Sequence, residues 1–182
     1  MKQGAISIVA DSSFFICFID DIKKPQELSR ILSFELFRFI LCKIIMNEIE
    51  HCLTKEIAKL ISSKTTEFDY YEYGNILMPL FSDYEIKKGE HEVIVTSFIL
   101  NFLGEDFLFI LDDNEARKFV QNNFRELLPF RKGTVGFIKT CHCQYGIFTK
   151  IEVIDLLKLI DKSEFRIDSG IIINTIKEIE IC

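Results

Sequence analysis

The sequence lacks the features that mark several classes of protein. It has only three prolines, three histidines and no tryptophan, and no stretch rich in proline, glycine or serine divides it. Its 182 residues, 48 % of them apolar, are enough to bury one sizeable core and too few for two. We therefore expect a single domain over 1–182, with an irregular acidic and aromatic excursion at about 62–88.

Long apolar runs are also absent. The apolar stretch near the N-terminus is short and is interrupted by Asp11, and no small-residue cleavage site follows it. A membrane-spanning helix needs about 20 predominantly apolar residues, and a signal peptide ends at such a cleavage site. The sequence therefore predicts a cytoplasmic protein with no membrane partner.

The chain has no excess of positive charge. It contains 22 basic and 28 acidic residues, which gives a net charge of −6. A protein that holds nucleic acid on a broad positive surface has the opposite balance. This composition does not exclude a nuclease, because bound metal ions would neutralise several of the carboxylates.

The six cysteines lie mostly within apolar helical or strand patterns, and a cytosolic domain of this size does not need disulfides. The segment Cys141-His142-Cys143 lacks a second pair of ligands at the spacing of a zinc finger. We therefore expect six reduced core residues and no zinc site. The cysteines are Cys17, Cys42, Cys52, Cys141, Cys143 and Cys182.

Short apolar runs alternate with helical patterns along the chain. The run Ile6–Ala10 predicts a strand, and helical spacing extends over 25–40, with a proline in the first turn. Further strands are predicted at 43–46, 107–111 and 127–130, and the last two helices at 150–160 and 169–179. This alternation predicts an α/β fold with a mainly parallel sheet covered on both faces.

The sequence does contain a set of acidic residues where strands end or helices begin. They are Asp11, Glu48, Glu90 and the adjacent pair Asp112 and Asp113. Ligands of parallel sheets bind beyond the carboxyl ends of the strands, so we expect these side chains at one edge of the sheet. Nearby carboxylates repel one another unless a cation lies between them, and oxygen-only ligands suit Mg²⁺ or Mn²⁺. The pattern predicts a metal-dependent phosphodiesterase.

Several of these acids also have a purely structural explanation. Asp11 suits the N-cap of the helix that begins at the next serine. Glu90 and Glu92 are two residues apart and point to nearly opposite faces of a helix, so only one is expected to reach a shared site. We expect Glu90 to be the ligand and Glu92 to cap its own helix in a capping box.

Five motifs together resemble those of the PIN-domain family of metal-dependent ribonucleases. The last three resemble, in order and spacing, a prokaryotic subgroup with the patterns Gly-Glu-x-Glu-Ala-Ile, Asp-Asp-x-x-Ala-Arg and Gly-Thr-x-Gly. The resemblance covers residues 6 to about 179. The motifs are Ile8-Val9-Ala10-Asp11-Ser12-Ser13, Met46-Asn47-Glu48-Ile49-Glu50, Gly89-Glu90-His91-Glu92-Val93-Ile94, Leu111-Asp112-Asp113-Asn114-Glu115-Ala116-Arg117 and Gly133-Thr134-Val135-Gly136-Phe137-Ile138.

The resemblance implies a three-layer α/β/α sandwich with a central, mainly parallel sheet and an acidic pocket for one or two Mg²⁺ or Mn²⁺ ions. The implied metal ligands and catalytic residues are Asp11, Glu48, Glu90 and Asp113, with Asp112 as the alternative to Asp113. A serine next to Asp11 would steady the pocket by hydrogen bonding. The proline that often precedes the second acid is missing, so Glu50 remains an alternative to Glu48.

The function implied by the resemblance is hydrolysis of RNA phosphodiester bonds by the toxin of a toxin–antitoxin system. Its partners would be the RNA substrate, an antitoxin protein and a second copy of the chain in a homodimer. A second hypothesis is a catalytically silent PIN-like protein that acts as a protein-interaction module. In that case the acidic aromatic stretch 69–73 would be its contact surface.

Overall fold

The computed structural model of the protein describes residues 5–68 and 88–182. In that part of the chain the strands are β1 (Ile6–Ala10), β2 (Phe37–Leu41), β3 (Thr66–Glu67), β4 (Phe107–Ile110) and β5 (Arg131–Lys132). They form one sheet in the order β3-β2-β1-β4-β5, and every neighbouring pair is parallel. The predicted α/β fold with a parallel sheet is confirmed.

The helices connect the strands and then continue beyond the last one. They are α1 (Ser12–Ile16) with a π-helical turn at Cys17–Asp21, α2 (Pro25–Leu32), α3 (Lys43–Cys52), α4 (Lys55–Ser63), α5 (Lys88–Phe102), α6 (Asn114–Asn123), a 3-10 helix at Arg125–Phe130, α7 (Thr134–Cys143), α8 (Lys150–Asp161) and α9 (Ser169–Ile181). The helices predicted at 150–160 and 169–179 are therefore confirmed to within two residues.

The sheet is covered on both faces. Successive residues of a strand point to opposite faces, and in β1 the four residues after Ile6 are all buried. On one face Phe39 of β2 packs between Phe14 of α1 and Phe137 of α7, with ring centroids 6.0 and 6.3 Å apart. A parallel sheet with helices on each side is a three-layer α/β/α sandwich.

The predicted helix over 25–40 is wrong in its second half. Helix α2 ends at Leu32, and β2 begins at Phe37 after a turn in which the amide of Phe34 donates to the carbonyl of Ile31 at 3.2 Å. Four of the five residues of β2 are buried. A strand buried on both faces is a nearly continuous apolar run, and helical spacing fits such a run equally well.

The strand predicted at 43–46 is also wrong, because these residues form the first turn of α3. Its β-branched pair Ile44-Ile45 favours a strand locally. In the fold the amides of this pair are instead held by the carboxylate of Glu92, which comes from α5. A distant side chain therefore decides the local structure.

The strand predicted at 127–130 is a third error. These residues belong to the 3-10 helix, and the strand that follows is the short β5. Pro129 lies inside the 3-10 helix, where its missing N–H breaks no ladder of a sheet. Of the four residues at 127–130, only Leu127 is fully buried, as a core strand would require.

The cysteines differ from the expectation of six reduced core residues. Cys17, Cys42 and Cys141 are free and buried, whereas Cys52 is free and exposed. Cys143 and Cys182 form a disulfide with their Cα atoms 5.7 Å apart. The two cysteines are 39 residues apart in sequence, so no local motif predicts their pairing.

The excursion predicted at 62–88 begins later than expected, because α4 extends to Ser63 and β3 follows it. Residues 69–87, which include the proposed contact surface at 69–73, lie outside the described residues. Within 5–68 and 88–182 no helix is both long and apolar enough to cross a lipid bilayer.

Candidate active site

Asp11 stands directly after β1 and is the N-cap of α1. Its side chain accepts hydrogen bonds from the amide of Phe14 at 3.2 Å and from the hydroxyl of Ser13 at 2.6 Å. Although it is a carboxylate, only 4 % of its surface is exposed. The structural and the functional explanations of Asp11 are thus compatible, since the cap fixes the side chain at the end of the sheet.

Asp112 lies beside Asp11 because β1 and β4 are parallel neighbours that end in register, with Ala10 opposite Ile110. The backbone amide of Asp112 donates to Asp11 Oδ2 at 3.4 Å. The side chain of Asp112 accepts from the amide of Thr134 at 2.9 Å and from its hydroxyl at 2.6 Å. The helix start in the Gly133-Thr134-Val135-Gly136 motif therefore holds a carboxylate of the protein itself.

Both carboxyl groups are harder to ionise than a free aspartate. Burial, followed by the negative charge of Asp112, raises the pKa of Asp11 from its ordinary value of 3.8 to about 7. Burial also raises the pKa of Asp112, while hydrogen bonds from Thr134 and the charge of Arg117 act in the opposite direction. Such shifts are typical of functional sites, where a cation or substrate compensates for the buried charge.

Asp113 has a different role from its neighbour. It is the N-cap of α6 and accepts a hydrogen bond from the amide of Ala116 at 2.9 Å. Of the two adjacent acids, Asp112 therefore lies beside Asp11 and Asp113 caps a helix. Neither side chain lines the acidic cleft, and of the two it is Asp112, the alternative to Asp113, that is hydrogen-bonded to Asp11.

Glu48 reaches the same region from α3, although not as predicted. It lies inside the helix and not at a strand end, because 43–46 is helical. The hydroxyl of Ser12 donates to Glu48 Oε2 at 2.6 Å. Glu50, the alternative, is exposed and lines a different pocket, so the structure favours Glu48.

A cleft of about 300 Å³ brings most of these side chains together at the carboxyl end of the sheet. Glu90, from the first turn of α5, lines it together with Asp11 and Glu48. Asp21 also lines the cleft, and burial is the main cause that raises its pKa. Nothing in the sequence marked Asp21, because its position depends on the π-helical turn Cys17–Asp21. The lining includes Asp11, Ser12, Ser13, Asp21, Glu48 and Glu90.

Glu92 is a cap, but not of its own helix as predicted. It is fully buried, and its Oε2 accepts from the amides of Ile44 at 2.8 Å and Ile45 at 3.1 Å. These amides belong to the first turn of α3, whose N-cap Cys42 offers no side-chain acceptor of its own. Glu92 therefore joins α5 to the N-terminus of α3, which positions the helix that carries Glu48.

The donor set fits a hard divalent cation in kind, because carboxylate and hydroxyl oxygens line the cleft. The side chains are too far apart to surround an ion that has lost all of its water. In the described part of the chain no three acidic side chains have ligand oxygens within 4.8 Å of one another. Mg²⁺ keeps several of its waters and takes one or two carboxylates directly, which this spacing permits.

No family model, no curated protein and no solved structure matches the chain. The resemblance to the PIN-domain family therefore remains a prediction that rests on the motifs themselves.

Proposed function

We propose that the protein is a Mg²⁺- or Mn²⁺-dependent ribonuclease that hydrolyses RNA phosphodiester bonds in the acidic cleft. One observation carries the proposal. Asp11 is buried beside Asp112 with a pKa raised to about 7, and it faces a cleft that Glu48 and Glu90 also line. An arrangement this costly for the protein alone is explained by a cation that binds there.

Asp11, Asp112, Glu48 and Glu90 are the residues that would hold the ion. A bound divalent cation supplies Lewis acidity, which lowers the pKa of water and neutralises charge on a phosphodiester. The protein itself contributes by holding the carboxylate oxygens in fixed positions. Both serines after Asp11 serve this purpose, since Ser13 holds Asp11 and Ser12 holds Glu48.

Two cationic side chains line a second pocket, which also contains Asp112. They are Arg117, one turn into α6, and Arg166; the charge of Arg117 partly opposes the rise that burial causes in the pKa of Asp112. Asp112 lines this second pocket and not the acidic cleft, and its backbone amide donates to Asp11 of the cleft at 3.4 Å. The second pocket would then offer a path for the RNA backbone. The broader assignment is a toxin with an antitoxin partner and a homodimeric assembly. That part rests on the motif resemblance alone.

The test is cleavage of a mixed RNA pool by protein freed of metal with EDTA and then given Mn²⁺. Wild type should cut only with the metal, and calorimetry should detect Mn²⁺ binding. Asp11→Asn should stay folded but should neither cut RNA nor bind Mn²⁺. Asp155→Asn makes the same chemical change at an exposed position on α8 and should behave as wild type.

The second hypothesis, a silent protein-interaction module, has one observation in its favour. Among the described residues the acids of the cleft are not gathered to within ligand distance. If folded wild type neither binds Mn²⁺ nor cuts RNA, the nuclease proposal fails and the interaction hypothesis replaces it.

A further inference from the structure

A second cluster of ligand-type side chains lies away from the acidic cleft, where α7 and α9 end. Cys143 is the last residue of α7, and Cys182 directly follows α9. One ring nitrogen of His142 and the two sulfur atoms all lie within 4.8 Å of one another. Two sulfurs and an imidazole are the donor set of Zn²⁺ and other soft or borderline cations, not of Mg²⁺ or Mn²⁺.

The spacing of the two cysteines does not depend on the covalent bond alone. Lys139 Nζ and Glu178 Oε2 form an ion pair at 2.6 Å between α7 and α9. Each of these residues lies four positions, about one helical turn, before the cysteine of its own helix. The two helices therefore run side by side in the same direction, and the ion pair holds them in a register that brings their ends together without involving the sulfur atoms.

A hydrogen bond fixes the tautomer of the neutral His142 ring. Its Nδ1 lies 2.8 Å from the carbonyl oxygen of Phe148, which can only accept, so Nδ1 carries the proton. The lone pair of the neutral ring is then on Nε2. Ligating histidines commonly make this hydrogen bond from the other ring nitrogen to a carbonyl, which fixes the tautomer and the direction of the ligand atom.

The backbone around the cluster also favours a cation. Both helices point their C-terminal ends at it, and these ends carry the partial negative charge of the helix dipole. Cys141, next in sequence, is fully buried in the core and takes no part. The segment Cys141-His142-Cys143 thus contributes two ligands, and the fold supplies Cys182 as the third.

We propose that the reduced protein binds one Zn²⁺ through His142 Nε2 and the sulfur atoms of Cys143 and Cys182, with the fourth position left to water. The disulfide and the metal complex exclude each other because they use the same two sulfur atoms. Oxidation by a small disulfide such as that of glutathione forms the Cys143–Cys182 bond, reduces the small disulfide to two thiols and releases the ion. The site is then a redox-controlled metal site.

The test uses Co²⁺ as a spectroscopic substitute for Zn²⁺. Reduced full-length protein should take up one equivalent of Co²⁺ with a thiolate-to-cobalt charge-transfer band, and Zn²⁺ should displace it. The same protein oxidised with glutathione disulfide should give no band, which tests the proposal without any substitution. Cys182→Ser and His142→Ala should each weaken or abolish the band, while Cys52→Ser, at an exposed free cysteine, should leave it unchanged.

Absence of the band in reduced, folded wild type would overturn the proposal, as would a band of wild-type intensity in Cys182→Ser. The result is independent of the nuclease proposal. Asp11→Asn should retain the thiolate band because its change lies in the acidic cleft, and Cys182→Ser should retain Mn²⁺-dependent cleavage.

Discussion

Gly89 lies so close to Glu48 that a Cβ atom at Gly89 would come within 2.9 Å of Glu48 Oε1 and 3.0 Å of Oε2. A similar relationship exists on the other side of the site, where a Cβ at Gly133 would come within 2.8 Å of Asp112 Oδ1. In both places a glycine of a sequence motif makes room for a carboxylate oxygen. The glycines therefore form part of the acidic site although they contribute no ligand atom.

The first prediction concerns Gly89→Ala. The new methyl group must displace the flexible carboxylate of Glu48, which disturbs its hydrogen bond from Ser12, and must also displace Ile45 Cδ1, 3.0 Å away. Misplacing a group by about 1 Å costs up to about 100-fold in rate, so we expect a loss of Mn²⁺-dependent cleavage of about 10- to 100-fold. Steady-state cleavage of the RNA pool measures it.

Gly136→Ala is the matched control, because it makes the same change within a helix where a Cβ meets nothing within 4 Å. It should raise the free energy of unfolding by about 0.5–1 kcal/mol through helix propensity. Cleavage by Gly89→Ala at the wild-type rate would remove Glu48 from the proposed site.

The second prediction separates the adjacent acids. Asn is as good an N-cap as Asp, so Asp113→Asn should keep α6 and retain cleavage. Asp112→Asn removes a charge beside Asp11 and should reduce cleavage by on the order of 100-fold, a loss typical when one stabilising group of a reaction centre is removed. Equal loss in both variants, with both folded by circular dichroism, would restore Asp113 as a ligand.

The third prediction is a pH dependence of stability without metal. The native protein holds the proton of Asp11 more tightly than the unfolded chain, since its pKa is about 7 against an ordinary 3.8. The free energy of unfolding therefore decreases as pH rises from about 4 to about 7, and the whole loss is present above pH 7. The loss is ~1.4 kcal/mol for each unit by which the pKa of Asp11 in the native protein exceeds that in the unfolded chain.

Urea denaturation in EDTA of wild type and Asp11→Asn, at pH values from 4 to 8, measures this effect. The variant does not titrate at position 11, so its stability relative to wild type should increase with pH. Added Mn²⁺ should reverse part of the difference at pH 8 by binding the ionised wild type. A difference that does not change with pH would show that Asp11 titrates normally.

The fourth prediction concerns Glu92. Glu92→Ala leaves the amides of Ile44 and Ile45 without this acceptor, at about 1–3 kcal/mol for each buried group. Urea denaturation should show this loss, whereas Glu56→Ala, at an exposed position on α4, should change stability little. Glu92→Gln keeps an acceptor oxygen and should retain cleavage, while Glu90→Gln should not. The reverse result would make Glu92 the ligand.

The local sequence was sufficient where an element carries its own signals. Strand β1 and the helix after Asp11 were predicted because an apolar run ends at a helix cap, and the last two helices were predicted from their own apolar spacing. The α/β class follows from the alternation of such runs, and the acidic character of the site follows from the positions of Asp11 and Asp112. Each of these features is encoded within about ten residues.

Only the tertiary structure decided the remaining features. Ile44-Ile45 is helical because Glu92 holds its amides from another helix, and Phe37–Leu41 is a strand because both of its faces are covered. The choice between Asp112 and Asp113 depends on Thr134, and the disulfide of Cys143 depends on the register of two distant helices. In each case the deciding partner is remote in sequence, so its effect on the free energy exists only once the chain is folded.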